Sequence, residues 1–242
     1  MRNPFETPER RAYREAVERF VRTEIEPHAD TWDEAGDFPW SLHEQACALG
    51  LFGFGIDEAY GGVGFEDAFM RAITAETLGR WAPGGVVSGI GARGIMVGLV
   101  ALLGSEESKL RVLPDILAGR KGGALGITEP GGGSDVAALR TTARREGGDW
   151  VIDGEKVFIT SGVRADWITL AVRTGEPGTR GSGGISMLAV PGDAKGVSRS
   201  RLDKMGWLCS DTAHLRFDGV RVPASHLIGE EGGGFRIIMT NF

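Results

Sequence analysis

The sequence predicts an α+β protein, a helical N-terminal domain followed by a β-barrel or sandwich. Three observations predict it. Apolar residues recur at helical spacing early on, as at Tyr13, Val17, Phe20 and Val21. From about Ala124 the period changes to that of strands, and short apolar runs follow one another. Turn residues separate those runs, among them 175–184 and the pair Pro191-Gly192. The domain limits expected are 1–121 for the helical domain, 122–230 for the β domain and 231–242 for the start of a further helical domain.

Within the helical domain, Thr7-Pro8 reads as an N-cap followed by proline at the first helical position, and Pro27 as the stop of that helix. A second helix is expected over 40–49, with Gly50 ending it, and another over 66–78. The stretch 86–103 is the most apolar of the chain. Arg93 interrupts it, and neither flank reaches the ~18 residues of a membrane span, so a buried core helix is expected. Gly89, Gly91 and Gly94 match G-x-G-x-x-G literally, but no strand precedes them, and the dinucleotide reading is rejected in favour of close helix packing. Ser105 should cap a helix over 106–117, with two glutamates in its first turn.

The expected strands are 124–128, 150–152, 156–160, 167–173, 185–190 and 212–217. Asp153-Gly154 lies between two β-rich runs and predicts a type I′ hairpin. Alternation beyond it places Phe158 and Thr160 on one face, with Val157 and Ile159 on the other. A helix begins again near Phe235.

Composition narrows the function classes. The 242 residues suffice for a sizeable core, and 41% hydrophobic with 25% charged residues is ordinary for a globular protein. A net charge of −6 argues against a nucleic-acid partner. Two cysteines, Cys47 and Cys209, give no disulfide framework and suit a cytoplasmic protein, and the four histidines lack metal-ligand spacing. The charged N-terminus has no apolar core and is not read as a secretory signal.

The chemistry concentrates between Leu125 and Gly162. Gly131, Gly132 and Gly133 let backbone N–H groups converge on an anion such as a phosphate; Ser134 adds a hydroxyl and Asp135 a cap. Taken by itself, such a loop reads as readily as a plain capped glycine turn. Phe158 beside Thr160 would suit a flat heteroaromatic cofactor, but on pattern alone a core Phe next to an ordinary strand Thr is the better reading.

Together the motifs carry a resemblance. ITEPGGGSD at 127–135 resembles the TEPGxGSD signature of the acyl-CoA dehydrogenase family; IDGEK at 152–156 and FITSG at 158–162 resemble its next two motifs. KMGW at 204–207, SDT at 210–212, 217–223 and IGEEGGGF at 228–235 continue in the family's order, so the resemblance covers nearly the whole chain. It implies an α-helical domain, a β domain and a C-terminal four-helix domain, the last absent from these residues. It implies FAD-dependent α,β-dehydrogenation of an acyl-CoA to a trans-2-enoyl-CoA, within fatty-acid β-oxidation. Electrons would pass to an electron-transferring flavoprotein, and the full-length protein would be a homotetramer.

Carried over by residue, Ile127 and Thr128 would hydrogen-bond the flavin ring, Gly133 and Ser134 would hold the pyrophosphate, and Phe158, Ile159 and Thr160 would meet the isoalloxazine. The family often has Trp where Phe158 stands, which keeps stacking and loses an indole N–H. Thr174 falls where some members place a serine near the CoA phosphates, and a solvent-facing strand-end Thr is the plainer reading. Small residues at 86–98 would leave room for a long or branched acyl group, or serve helix contact alone. Glu129 is expected in a structural salt bridge, with the catalytic glutamate beyond Phe242. Two rivals share or discard the chemistry: a flavin monooxygenase or oxidase of the same fold, and a non-catalytic binding or assembly subunit.

Overall fold

The computed structural model describes residues 5–175 and 181–241. Part of the expected 175–184 turn, and Phe242, lie outside the described residues. The chain forms two compact units. One takes residues up to Gly91 with Leu117–Arg120 and Lys204–Ser210; the other takes Ala92–Ile116, Lys121–Asp203 and the chain from Asp211 onward. Division by compactness thus differs from division by periodicity, because α-helical residues 92–116 pack with the strands and the loop Lys204–Ser210 packs with the helices.

The first unit is helical. Helix α1, Pro8–Phe20, starts as its sequence requires: the Thr7 hydroxyl accepts the Arg10 N–H at 3.3 Å, and Pro8 stands at the first position. Pro27 does not stop it. The chain winds on through a π-helical turn, Val21–Ile25, and a 3-10 turn, Glu26–His28, into α2, Ala29–Ala35. Proline sits at the start of the 3-10 turn, where its missing N–H costs nothing, so the helix changes pitch instead of ending. Helix α3, Ser41–Ala48, ends before Gly50, whose φ of +73° is the left-handed geometry glycine accepts readily. In α4, Ala68–Trp81, the Asp67 carboxylate caps the N-terminus by accepting from Phe69 N–H and Met70 N–H. Tyr13 and Thr74 share a hydroxyl hydrogen bond of 2.7 Å that ties α1 to α4. Val17, Phe20, Val21, Ile25, Phe38, Leu42, Val86 and Ile90 form this unit's core.

Helix α5, Gly84–Leu103, is long and apolar enough by length and composition to cross a membrane. Much of it is buried in protein: Val86, Ile90, Met96, Val97 and Val100 are almost wholly enclosed, and Arg93, 2% exposed, donates to the Ile116 carbonyl of α6, Glu106–Leu117. Gly89 lets the helix meet Phe38, since a Cβ there would lie 2.6 Å from the ring; this is close packing and not a dinucleotide loop. Ser105 caps α6, its hydroxyl accepting from Ser108 N–H at 3.2 Å.

The second unit holds a mixed sheet. Its strands are β1 Gly123–Gly126, β2 Thr142–Glu146, β3 Asp149–Thr160, β4 Trp167–Arg173, β5 Ile185–Pro191, β6 Val197–Arg201, β7 Thr212–Pro223 and β8 Leu227–Ile228. The order is β6-β7-β3-β2-β4-β5-β8, with β1 parallel to β4. A single pair, Thr142↔Arg173, joins β2 to β4, so the sheet is two groups of strands wrapped on one core of Trp150, Ile152, Ile168, Leu170, Leu188, Leu215 and Phe217. Asp153-Gly154 is not a hairpin turn. Strand β3 runs straight through it, with a register shift against β7 between Ile152 and Gly154. The hairpin is instead β2–β3, turning at Gly147-Gly148. Asp153 is held by neighbours on both sides, accepting from Arg144 at 2.8 Å and from Gly219 N–H at 2.8 Å. The final helix, α7, runs Gly234–Asn241.

Candidate functional site

The site is built where the end of β1 meets the far half of β3. After Gly126 the chain leaves the β4 ladder, and Thr128 C=O accepts Val157 N–H at 2.9 Å. Glu129 and Gly132 then exchange backbone hydrogen bonds, closing a tight turn over Pro130 and Gly131. Gly131 and Gly132 in that turn, and Ser134 just after it, are exposed. Among the described residues the N–H groups of Thr128, Gly131, Gly133 and Ser134 have no acceptor, and neither the Thr128 nor the Ser134 hydroxyl has a partner. Gly133 packs on Thr128: a Cβ there would lie 3.1 Å from Thr128 Cγ2. Asp135 precedes a 3-10 turn, Val136–Ala138, but its side chain makes no capping hydrogen bond, contrary to the expected cap.

On β3 the alternation expected around Phe158 breaks. A second register shift falls between Lys156 and Ile159, and Phe158 adopts φ +60°. A left-handed aromatic residue is costly in an ordinary strand and signals a local demand on that side chain. Its effect is plain: the Phe158 ring is 69% exposed, whereas Ile159 is 2% exposed in the β core. Ile159 is thus enclosed, paired with Ala213 on β7, and its carbonyl accepts Gly162 N–H at 3.1 Å. Thr160 pairs with Thr212 and is half-buried, its hydroxyl without a partner among the described residues. Thr174 is apart from these, past the end of β4, with its hydroxyl 2.7 Å from that of Ser186.

Several residues that hold the site were not singled out from the sequence as such. Lys156 is fully buried; its Nζ donates to Ile127 O at 2.9 Å and to Glu129 Oε1 at 2.8 Å. Glu129 also accepts from Arg140 N–H and Thr141 N–H, so it is the structural partner expected. Burial pulls the Glu129 carboxyl up, but the Lys156 charge and the hydrogen bonds outweigh it and keep it below its ordinary value. Burial pushes the Lys156 ammonium down to about 8 against the pull of Glu129. Asp211, 2% exposed, holds the turn after Thr160: it accepts from Val163 N–H and Arg164, and its carbonyl accepts Ser161 N–H. Arg173 donates to the carbonyls of Ala137, Leu139 and Gly183, anchoring the chain beyond the glycine loop. Counting by twos from Trp150 and Ile152 puts Lys156 on the inner face, and that was the available signal.

This surface can bind an anion at the glycine turn and a flat ring against Phe158. Among the described residues no three His, Cys, Asp or Glu side chains cluster as metal ligands would.

Residues 7–120 match the acyl-CoA dehydrogenase N-terminal domain, and residues 124–220 match the acyl-CoA dehydrogenase middle domain. The chain belongs to the acyl-CoA dehydrogenase family. It is 38% identical over 228 residues to the long-chain specific mitochondrial acyl-CoA dehydrogenase of Sus scrofa, covering 94% of this chain and 53% of that protein. A probable acyl-CoA dehydrogenase from Mycobacterium abscessus superposes with a TM-score of 0.90 at 47% identity, over 97% of this chain and 62% of that one. A glutaryl-CoA dehydrogenase from Mycobacterium smegmatis, solved in complex with FADH2, gives a TM-score of 0.87 at 30% identity, over 98% and 60% of the two chains. The chain thus spans about half to two thirds of the length of these relatives.

Proposed function

We propose that this chain forms the FAD-facing and acyl-CoA-facing part of a dehydrogenase that converts an acyl-CoA thioester to a trans-2-enoyl-CoA. The observation that carries the reading is the Phe158 ring, turned outward by a left-handed backbone beside unpaired donors on the Ile127–Ser134 segment. That combination fits a flavin dinucleotide, which needs a flat apolar contact and anion-binding N–H groups within one surface. When bound, FAD supplies the hydride acceptor. The chain's own residues bind and orient. Gly133 and Ser134 hold the pyrophosphate; Ile127 and Thr128 hydrogen-bond the ring edge; Phe158 covers a ring face and excludes water; the Ile159 backbone and the Thr160 hydroxyl stand at the reacting edge. Thr174 could donate to a CoA phosphate while accepting from the Ser186 hydroxyl 2.7 Å away. Glu129 is committed to Lys156 and two backbone N–H groups and is not the base in this reading; the catalytic carboxylate is proposed to lie outside these residues, as the family resemblance implies. Electrons would leave to an electron-transferring flavoprotein, and the complete protein would be a homotetramer.

The test uses the complete product of the gene. It should purify with FAD and form enoyl-CoA with an artificial electron acceptor, and Thr160→Val should slow reduction of the flavin by acyl-CoA. A product that takes up no FAD and leaves acyl-CoA untouched would sink the proposal.

A further inference from the structure

We propose that Lys156 and Glu129 are a positioning pair that makes the Ile127–Thr128 peptide a charge-assisted hydrogen-bond donor toward the electron-rich edge of a flavin ring. The inference deepens the flavin reading and rests on it. Ile127 C=O and Thr128 N–H belong to one amide. Lys156 Nζ donates to that amide's oxygen at 2.9 Å, from a wholly buried position. The Thr128 N–H on its other side has no acceptor among the described residues. A cation on the carbonyl withdraws electron density through the amide and strengthens the N–H as a donor, the more so in a site of low dielectric. Glu129 Oε1, 2.8 Å from the same Nζ, opposes the burial that disfavours the lysine's charge and fixes its direction. The carboxylate is itself fixed by Arg140 N–H at 2.6 Å and Thr141 N–H at 2.8 Å. Val157 N–H on Thr128 O, at 2.9 Å, completes the frame, so both carbonyls flanking the free N–H are held from β3.

Fold stability alone is a weak reason for this arrangement. A buried ion pair costs desolvation that well-packed apolar residues of the same volume would not. Here the pair does what an apolar pair could not, which is to polarise one peptide at the edge of the proposed cofactor surface. Neither side chain touches that surface; they act through Thr128.

The experiment compares the complete protein with Lys156→Met and with the double variant Lys156→Met/Glu129→Gln, which removes both charges and leaves none buried alone. Three readouts are taken: amide hydrogen exchange at Thr128 and Val157 without flavin, the FAD dissociation constant, and the midpoint potential of the bound flavin. In the wild-type protein an NMR coupling across the hydrogen bond from Lys156 Nζ to the Ile127 carbonyl carbon should be present; its absence overturns the proposal without any variant. Both variants should exchange the Thr128 amide more slowly at a pH where base catalysis dominates, bind FAD roughly tenfold more weakly, and shift the potential to more negative values. A double variant that folds with wild-type exchange, affinity and potential overturns the proposal and leaves the flavin reading intact. Wild-type protein that binds no FAD overturns the flavin reading and the acceptor named here together.

Discussion

Gly133 packs on the Thr128 side chain, where a Cβ would lie 3.1 Å from Cγ2 and 3.4 Å from the hydroxyl oxygen. Gly133→Val would drive Thr128 aside and weaken FAD binding by more than the ~1 kcal/mol of a typical substitution; the FAD dissociation constant of the complete protein checks this. At Lys156 the folded pKa lies below the unfolded one, near 8 against the ordinary 10.5. Between those values the unfolded chain holds a proton that the native chain has released, so unfolding free energy should rise with pH there, by about 1–3 kcal/mol. Glu129 behaves in the opposite region: its pKa is depressed, so its contribution is full above the ordinary carboxylate range and fades as pH falls below it. Urea unfolding at pH 7.5 and pH 10 should show the alkaline rise in wild type and lose it in Lys156→Met. Among single residues the motif positions are legible because their order matches a family, and the motif alone puts Glu129 in an ion pair without naming its partner. Lys156 stayed hidden because a lysine among strand residues gives no sign of which carboxylate it meets. Phe158 could be named but not oriented, since a φ of +60° follows from tertiary demand and from no propensity of phenylalanine.

Elements were legible where local chemistry decides them. Thr7-Pro8, Ser105 and Gly50 mark helix ends by capping, and the apolar runs of β4 and β5 give their strands almost to the residue. Errors came where a local signal was overruled at long range. Asp153-Gly154 has hairpin chemistry, yet β7 pairs with the strand on both sides of it and β3 continues. Gly154 is needed there for another reason: at φ +144° a Cβ would fall 2.7 Å from the Thr141 backbone. Gly154→Ala should therefore destabilise the β unit by about 2 kcal/mol or more, read as a lower denaturation midpoint with an unchanged slope. Pro27 misled in the same way, since a change to 3-10 winding accommodates it. Strands β2, β6 and β8 escaped notice because they are short or polar, and only their ladder partners make them strands.

For the whole molecule, the change of period near residue 124 was enough to give the α+β class, while the sharing of helix and loop segments between compact units left no trace in periodicity. If the catalytic carboxylate lies outside these residues, as proposed, then with Glu129 held by Lys156 and by the Arg140 and Thr141 N–H groups residues 1–242 expressed alone should form no enoyl-CoA. An assay with acyl-CoA and an artificial acceptor measures this, and full turnover would mean that another carboxylate of these residues serves as the base. The pairing of β3 with β7 also bears on how the molecule is made. Their partners, from Asp149↔Pro223 to Thr160↔Thr212, lie far apart in sequence, whereas β2–β3 closes over Gly147-Gly148 and the β4–β5 partners Arg173 and Ile185 are near in sequence. Closing the longer loop carries an entropic cost that the local hairpins avoid, and it delays that ladder during refolding. Thr160 and the bulge that turns Phe158 outward come into register only when β7 docks. During synthesis, then, a chain still on the ribosome short of Pro223 has its β2–β3 hairpin but not the ladder that sets Phe158 and Thr160.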